Sequence, residues 1–402
     1  MKAVENGITA PKGFLAGAVH CGIRKNTDKK DLAVIYSEVP ANAAAVYTQN
    51  IVVGAPLTVT KEHIADGKAQ LIICNSGNAN TCNPDGIQVA NEMSELIAQK
   101  FGLAKQDIII ASTGVIGQSL DVSKIAKGIE QLTIDKDGSV DAAQAIMTTD
   151  LVMKEVAYEF EIGGKTCTIG AIAKGSGMIH PNMATMLGFV TTDVSINSDL
   201  LKAALEIAVS TTYNMISVDG DTSTNDMVAV LANGCAENEY INGIGEDFDK
   251  FVEALTEVSL ILAKQIAKDG EGASKLVAVT VEGANTTDDA IKLSKSVVTS
   301  SLVKTAVYGN DANWGRILCA LGYAGAPFKP EEVNVTFKSN HGEILICENG
   351  ATVSFDEAVA THILNTDEVH IHIEINEGDK SATAYGCDLT EQYVEINGSY
   401  RS

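Results

Sequence analysis

The sequence is short of basic clusters, of long apolar runs and of aromatic residues, and each shortage removes a class of function. Against 52 Asp and Glu stand only 29 Lys and Arg, a formal net charge of -23, and no stretch gathers the basic residues into a patch. A protein that grips a phosphate backbone needs a basic stripe, so no nucleic-acid partner is expected. Acidity of this size marks a soluble chain and names no substrate. No apolar run reaches membrane-spanning length, and the opening MKAVENGITAPKGFLAG lacks the apolar core of a signal peptide, so no membrane association is expected. The eight cysteines (Cys21, Cys74, Cys82, Cys167, Cys235, Cys319, Cys347 and Cys387) form no CxxC pair and no zinc spacing. The chain is too long to be a disulfide-stapled mini-domain. Several cysteines lie in apolar runs such as LIICNSG and GRILCALG, and read as reduced, buried thiols of a cytoplasmic protein. Neither a metal nor a cofactor is expected. Aromatic residues make up 5% while glycine numbers 35, which implies many tight turns and close backbone approaches.

What is present is a chain of 402 residues, 45% of them hydrophobic. At roughly 150 residues per domain this predicts two or three compact units, or two large ones, with ample core. DLAVIYSEV, AQLIICNSG and DIIIAST are short apolar runs bounded by polar residues or glycine, and read as buried strands. Between the last two, Val89, Met93, Leu96 and Ile97 make one face of a helix that follows the turn Asn83-Pro84-Asp85-Gly86. A longer helix is predicted from about Asp247 to Lys268, with Phe251, Leu255, Val258, Leu262 and Ile266 at three- and four-residue steps and Gly270 near its end. EVHIHIEIN alternates strictly, and with KSATAYGCDL across EGD it reads as a hairpin. The class is α/β or α+β, mixed and layered, with many antiparallel strands in the last third.

Several chemical patterns are weaker than they look. GGKT (163–166) resembles the end of a phosphate loop, but the glycine required five residues before its Gly-Lys pair is Glu159. Its strand-like flanks make Gly163-Gly164 a hairpin turn. DGEGAS (269–274) carries the first glycine spacing of a dinucleotide fingerprint, yet follows a helix rather than a strand. His370 and His372 read as the solvated face of a strand. Asp219, Asp221 and Asp226 in VDGDTSTND lack the full spacing of a calcium loop, and read as local turn hydrogen bonding.

HPNMATMLGF (180–189) is different. It sets one hydroxyl, Thr185, among small and apolar residues, after the glycines of AKGSGMI and a His-Pro corner. Gly175, Gly177 and Pro181 allow unusual backbone, which can present one peptide bond for attack. A threonine hydroxyl is a poor nucleophile without a base. If the chain were cut between Ala184 and Thr185, the new α-amine would lie a few ångströms from Oγ. With an ordinary pKa of about 7.7–8.0 it would serve as that base. The threonine could make the cut itself, by attack of Oγ on the Ala184 carbonyl and hydrolysis of the resulting ester. Spacing alone leaves the blander alternative, a half-buried strand residue, open.

KGSGMIHPNMATMLGFVTTD closely resembles the self-cleavage signature of the ornithine acetyltransferase family, also called the bifunctional glutamate N-acetyltransferases of arginine biosynthesis. GITAPKGFLAG, NSGNANTC (75–82), STGVIG (112–117), MTTD (147–150), GDTSTND (220–226), DGEGASK (269–275), GNDANWGRI (309–317) and GCDLTEQYVEIN (386–397) also look like blocks of that family, in the expected order along the whole chain. The resemblance implies cleavage between Ala184 and Thr185 into chains 1–184 and 185–402 that interlock. It implies Thr185 as nucleophile and Thr113 and Gly114 as the oxyanion hole, where losing one donor costs about 3–4 kcal/mol. Thr148, Lys174, Thr185, Glu271, Asn397 and the terminal Ser402 would contact substrate; Thr149 is an alternative to Thr148. Many members end in Thr, and Ser402 keeps the hydroxyl.

The implied reaction is ping-pong. Thr185 takes the acetyl group of N2-acetyl-L-ornithine and passes it to L-glutamate, giving N-acetyl-L-glutamate; some relatives also use acetyl-CoA as co-substrate. The implied fold is the α/β architecture of self-processing aminopeptidases with N-terminal nucleophiles, assembled as an α2β2 heterotetramer. Two rivals stand beside this reading. One is a self-processing aminopeptidase or amidohydrolase using the same nucleophile and water. The other is a non-enzymatic protein in which Thr185 belongs to the core.

Overall fold

The computed structural model describes residues 1–180 and 186–399. They form two compact units interleaved along the chain: 1–175, 186–214 and 222–263 make one, and 176–180, 215–221 and 264–399 make the other.

The first unit is built on a nine-stranded mixed sheet. Across it run Lys2–Ala3, Lys154–Ile162, Lys165–Lys174, Leu187–Thr192, Met227–Ala232, Leu32–Tyr47, Lys68–Asn78 and Ile108–Val115, and Phe14–Val19 pairs with the long strand Leu32–Tyr47. Leu187–Thr192 is antiparallel to Lys165–Lys174 and parallel to Met227–Ala232, which is antiparallel to Leu32–Tyr47. The unbroken apolar runs have a physical cause. Leu32, Val34, Leu71, Ile73, Ile108 and Ile110 pack with the helices Gly86–Phe101 and Val122–Gln131 into one core. The residues between them, Ala33, Ile35, Ile72, Cys74, Ile109 and Ala111, pack into a second core with the helix Ser139–Ile146. A sheet buried on both faces needs apolar residues at every position. The Gly163-Gly164 turn forms as expected, with Ile162 opposite Lys165 and φ of 55° and 75°, the left-handed pair a two-residue hairpin demands.

The second unit carries a seven-stranded mixed sheet: Ala351–Thr352, Gly342–Glu348, Asn334–Ser339, Glu368–Glu374, Leu276–Ala284, Lys380–Cys387 and Ile216–Ser217, in that order. Val277, Val279, Val281, Val369, Ile371 and Ile373 form its core with Leu293 and Val297 of the helix Thr287–Thr299. The helix Glu246–Lys268, which belongs to the first unit as far as Ala263, matches its sequence pattern, and Phe251, Leu255, Val258, Leu262 and Ile266 are all fully buried.

Two expectations are corrected. Glu368–Glu374 and Lys380–Cys387 are not hairpin partners, because Leu276–Ala284 lies between them, parallel to the first and antiparallel to the second. The connection crosses the end of that inserted strand, where the N–H groups of Glu377 and Gly378 donate to Gly283 C=O at 2.9 and 2.7 Å. Strict alternation shows which face a strand buries, not which strand lies beside it. The eight thiols are all free, but Cys82 and Cys319 are exposed. In the helix Trp314–Gly322 the buried residues are Ile317, Ala320 and Leu321, which leaves Cys319 outside.

The face assignment has a direct test. Ile371→Ala should lower unfolding stability by about 2–5 kcal/mol in urea titrations. Glu368→Ala, exposed at the edge of the same strand, should change it by less than about 0.5 kcal/mol.

Candidate active site

In the first unit the candidate oxyanion residues sit where a regular strand breaks down. Ile108–Val115 runs parallel to Lys68–Asn78, with Ser112 opposite Asn75, Thr113 opposite Ser76 and Gly114 opposite Gly77; the register slips at Asn78. Gly114 has a φ of 132°, and a Cβ there would lie 2.3 Å from Gly77 C, so no larger residue fits. Around this strand end the polar side chains are buried and bonded: Ser112 Oγ donates to Asn75 Oδ1 at 2.6 Å, Asn75 Nδ2 to Asn78 C=O at 2.9 Å, and Asn78 Nδ2 to Gln118 C=O at 3.0 Å.

Thr148 and Lys174 meet through a residue that the sequence reading did not single out, Asp150. Its carboxylate accepts the Thr148 N–H (2.9 Å), the Gly175 N–H (2.7 Å) and Lys154 Nζ (2.8 Å). Asp150 and Lys154 have fully buried side chains. Burial pushes the carboxyl up, but the charges of Lys174 and Lys154, with the hydrogen bonds from Lys154 and Gly175, outweigh it and hold it at about 2. Lys174 is itself buried, 7% exposed, rather than a solvated charge. Among the described residues its ammonium makes no hydrogen bond and no close ion pair, although its charge is felt at Asp150, at Asp226 and at the buried thiol of Cys74. Two ammonium groups thus face one ionised carboxylate. Asp226, also buried, is pushed well above the usual carboxylate range by desolvation, and one of its carboxyl oxygens has no partner among the described residues. Thr149 is half-buried like Thr148, and both remain candidates.

In the second unit Glu271 and Asn397 are brought together. Asn397, on the helix Glu391–Gly398, donates from Nδ2 to Glu271 Oε2 at 2.8 Å. Glu271 is 8% exposed, its N–H donates to Ser176 C=O at 2.9 Å, and its carboxylate fills the space that a Cβ on Gly177 would occupy. The segment 176–180 is further held by Asp219, which accepts the N–H groups of Met178 (2.6 Å) and Ile179 (2.9 Å) and the hydroxyl of Tyr393 (3.3 Å). His180 Nδ1 meets Ser217 Oγ at 3.1 Å. Burial and the charge of Lys295, only partly opposed by Asp219, lower its pKa to about 4, so its imidazole is neutral at neutral pH. Ala184, Thr185 and Ser402 lie outside the described residues. The next residue, Met186, accepts the Met227 N–H at 2.9 Å.

Among the described residues no group of three or more His, Cys, Asp or Glu stands close enough to hold a metal ion, and no helix is long and apolar enough to cross a membrane. His370 is half-buried, with Nε2 at 2.8 Å from Thr280 Oγ1.

The buried Asp150 predicts a signature in acid. Its folded pKa lies below the unfolded value, so its contribution to stability is complete above about pH 4 and is lost as pH falls towards 2. Asp150→Asn strands the Lys154 charge, and should cost about 3–5 kcal/mol at neutral pH. Urea titrations at neutral and acid pH should show that deficit shrinking as the pH is lowered.

The chain resembles known proteins along almost its whole length. Residues 15–402 match the profile of the ArgJ family. The arginine biosynthesis bifunctional protein ArgJ of Caldanaerobacter subterraneus subsp. tengcongensis is 49% identical over 405 residues, covering 100% of both chains. That of Bacillus subtilis is 49% identical over 401 residues, covering 99% of this chain and 97% of its own. A crystal structure of the Bacillus halodurans protein of the same name, 45% identical, superposes with a TM-score of 0.50 and covers 53% of this chain and 98% of that one. The chain belongs to the ArgJ family.

Proposed function

We propose that the protein is a glutamate N-acetyltransferase that moves an acetyl group from N2-acetyl-L-ornithine to L-glutamate through Thr185. The observation that carries this reading is the excess of buried positive charge at Lys174, which among the described residues makes no hydrogen bond and shares the ionised carboxylate of Asp150 with Lys154. A buried cation with only a shared counter-charge is costly, and a substrate carboxylate would supply the missing charge. Donor and acceptor substrates both carry an α-carboxylate. Glu271, steadied by Asn397, has the opposite sign and suits the side-chain ammonium of ornithine. Thr148 and Ser402 are assigned to substrate contact by the family resemblance.

The chain first activates itself. Thr185 Oγ attacks the Ala184 carbonyl, the C–N bond breaks, and water hydrolyses the ester to leave a carboxylate on Ala184 and a free α-amine on Thr185. Support comes from the Bacillus halodurans crystal structure: its chain, matched almost end to end, spans just over half of this one, as a product beginning at Thr185 would. In turnover, Oγ attacks the acetyl carbonyl while its proton passes to the α-amine. Thr113 and Gly114 stabilise the oxyanion. The proton then goes to the departing amino group of ornithine as its C–N bond breaks. The amine of glutamate attacks acetyl-Thr185, and N-acetylglutamate leaves as Oγ regains a proton. The cleaved chains stay interlocked, and two such pairs assemble as α2β2.

The denatured mass is the first test. The unmodified protein should give fragments 1–184 and 185–402, and Thr185→Ala one intact chain; a single chain in both sinks the mechanism. Ornithine release should require glutamate, and release indifferent to glutamate would mean that water resolves the acyl-enzyme. The same assay with acetyl-CoA in place of N2-acetyl-L-ornithine reads the second donor. Lys174→Met should lower kcat/KM by about 100-fold, as expected for a lost charged contact of about 3 kcal/mol, while the cleaved protein remains folded.

A further inference from the structure

We propose that Asn225 is a positioning residue for the oxyanion site, holding the peptide that leads into Thr113. This rests on the assignment of Thr113 and Gly114 as the oxyanion hole and extends it to a residue that touches no substrate.

Asn225 is 5% exposed, and its carboxamide is fully used. Nδ2 donates to Ala79 C=O at 2.6 Å and to Ser112 C=O at 3.1 Å. Oδ1 accepts from Thr81 Oγ1 at 2.5 Å and from Thr224 Oγ1 at 2.7 Å. The orientation of the amide follows from its surroundings. Two backbone carbonyls can only accept, so the atom facing them must be nitrogen.

One carbonyl, of Ser112, lies in the strand Ile108–Val115, and the other, of Ala79, lies one residue past the end of Lys68–Asn78. Ser112 C=O and Thr113 N–H share one planar peptide and point in opposite directions. A donor fixed on the carbonyl therefore sets the tilt of that plane, the direction of the Thr113 N–H and the starting position of the Thr113 side chain. Ala79 ends the segment Gly77-Asn78-Ala79, whose first two residues pack against Gly114. One side chain thus ties both walls of the Thr113–Gly114 bend. Ser112 is held from its other side by the Ser112 Oγ to Asn75 hydrogen bond. An oxyanion site needs donors fixed before charge develops, and the strand pairing that reaches Gly114 loses its register at Asn78. Asn225 adds a side-chain tie across the point where the pairing slips.

Asn225→Asp tests this with little change in shape. It sets a carboxylate oxygen against the carbonyls of Ala79 and Ser112 and removes both donors. Kinetics are measured on cleaved protein, with the cleaved fraction taken from the denatured mass, and ornithine affinity by calorimetry. A positioning role predicts kcat for acetyl transfer reduced by about 10- to 100-fold, with KM and ornithine affinity within about two-fold. A kcat unchanged beside that of the unmodified enzyme, or a loss confined to KM, overturns the proposal and leaves the functional reading standing. No acetyl transfer by the unmodified protein overturns both. Asn225→Ser, which retains one small donor, should fold and show the same split in milder form. Failure of both variants to fold assigns Asn225 to the core and overturns the positioning role.

Discussion

One buried ion cluster organises the first unit. Asp150 could not remain ionised in the interior without Lys154 and Lys174, and Lys154 could not be buried without Asp150. The cluster is also a joint. It holds the amide of Thr148 after the helix Ser139–Ile146, the start of the strand Lys154–Ile162 and the end of the strand Lys165–Lys174. Replacing such a cluster with apolar residues commonly costs nothing in stability. On the proposed function, the second cation would be the one that meets an anionic substrate.

The second unit handles the opposite sign by a different device. Among the described residues the Glu271 carboxylate is steadied by the neutral carboxamide of Asn397, while its backbone N–H is held by Ser176 C=O. Both units thus carry nearly buried charged side chains at the positions assigned to substrate, a feature common at functional sites.

Much of this was legible in the sequence, for identifiable reasons. Runs such as LIICNSG and DIIIAST read as strands because a sheet covered on both faces favours apolar residues at successive positions, with the buried Asn75, Ser76 and Ser112 coming only at the ends of the runs. The helix Glu246–Lys268 declared itself through five apolar residues at helical spacing. Motif resemblance pointed to Thr113, Lys174, Glu271 and Asn397, but not to what surrounds them. Asp150 and Asn225 stood inside the quoted blocks MTTD and GDTSTND without distinction, because their roles depend on which carbonyls and amides the fold brings to them. The hairpin expected near residue 377 failed for the same reason, since a strand nearly a hundred residues earlier inserts between its arms. Local pattern reports face and period; long-range pairing is settled by the whole chain.

The strand order carries one more consequence. Leu187–Thr192 and Met227–Ala232 lie side by side within the sheet, flanked by Lys165–Lys174 on one side and Leu32–Tyr47 on the other. A cut at 184/185 would put the two middle strands in one molecule and both flanking strands in another, with every ladder hydrogen bond unchanged. The native state would hardly register the event, but the unfolded state would. Before the cut, folding is a first-order search by one chain; afterwards it is a second-order encounter between two fragments, each lacking the neighbours its strands require. Cleavage would therefore make assembly depend on concentration and history, and a protein that activates itself in this way would have one opportunity to fold unaided.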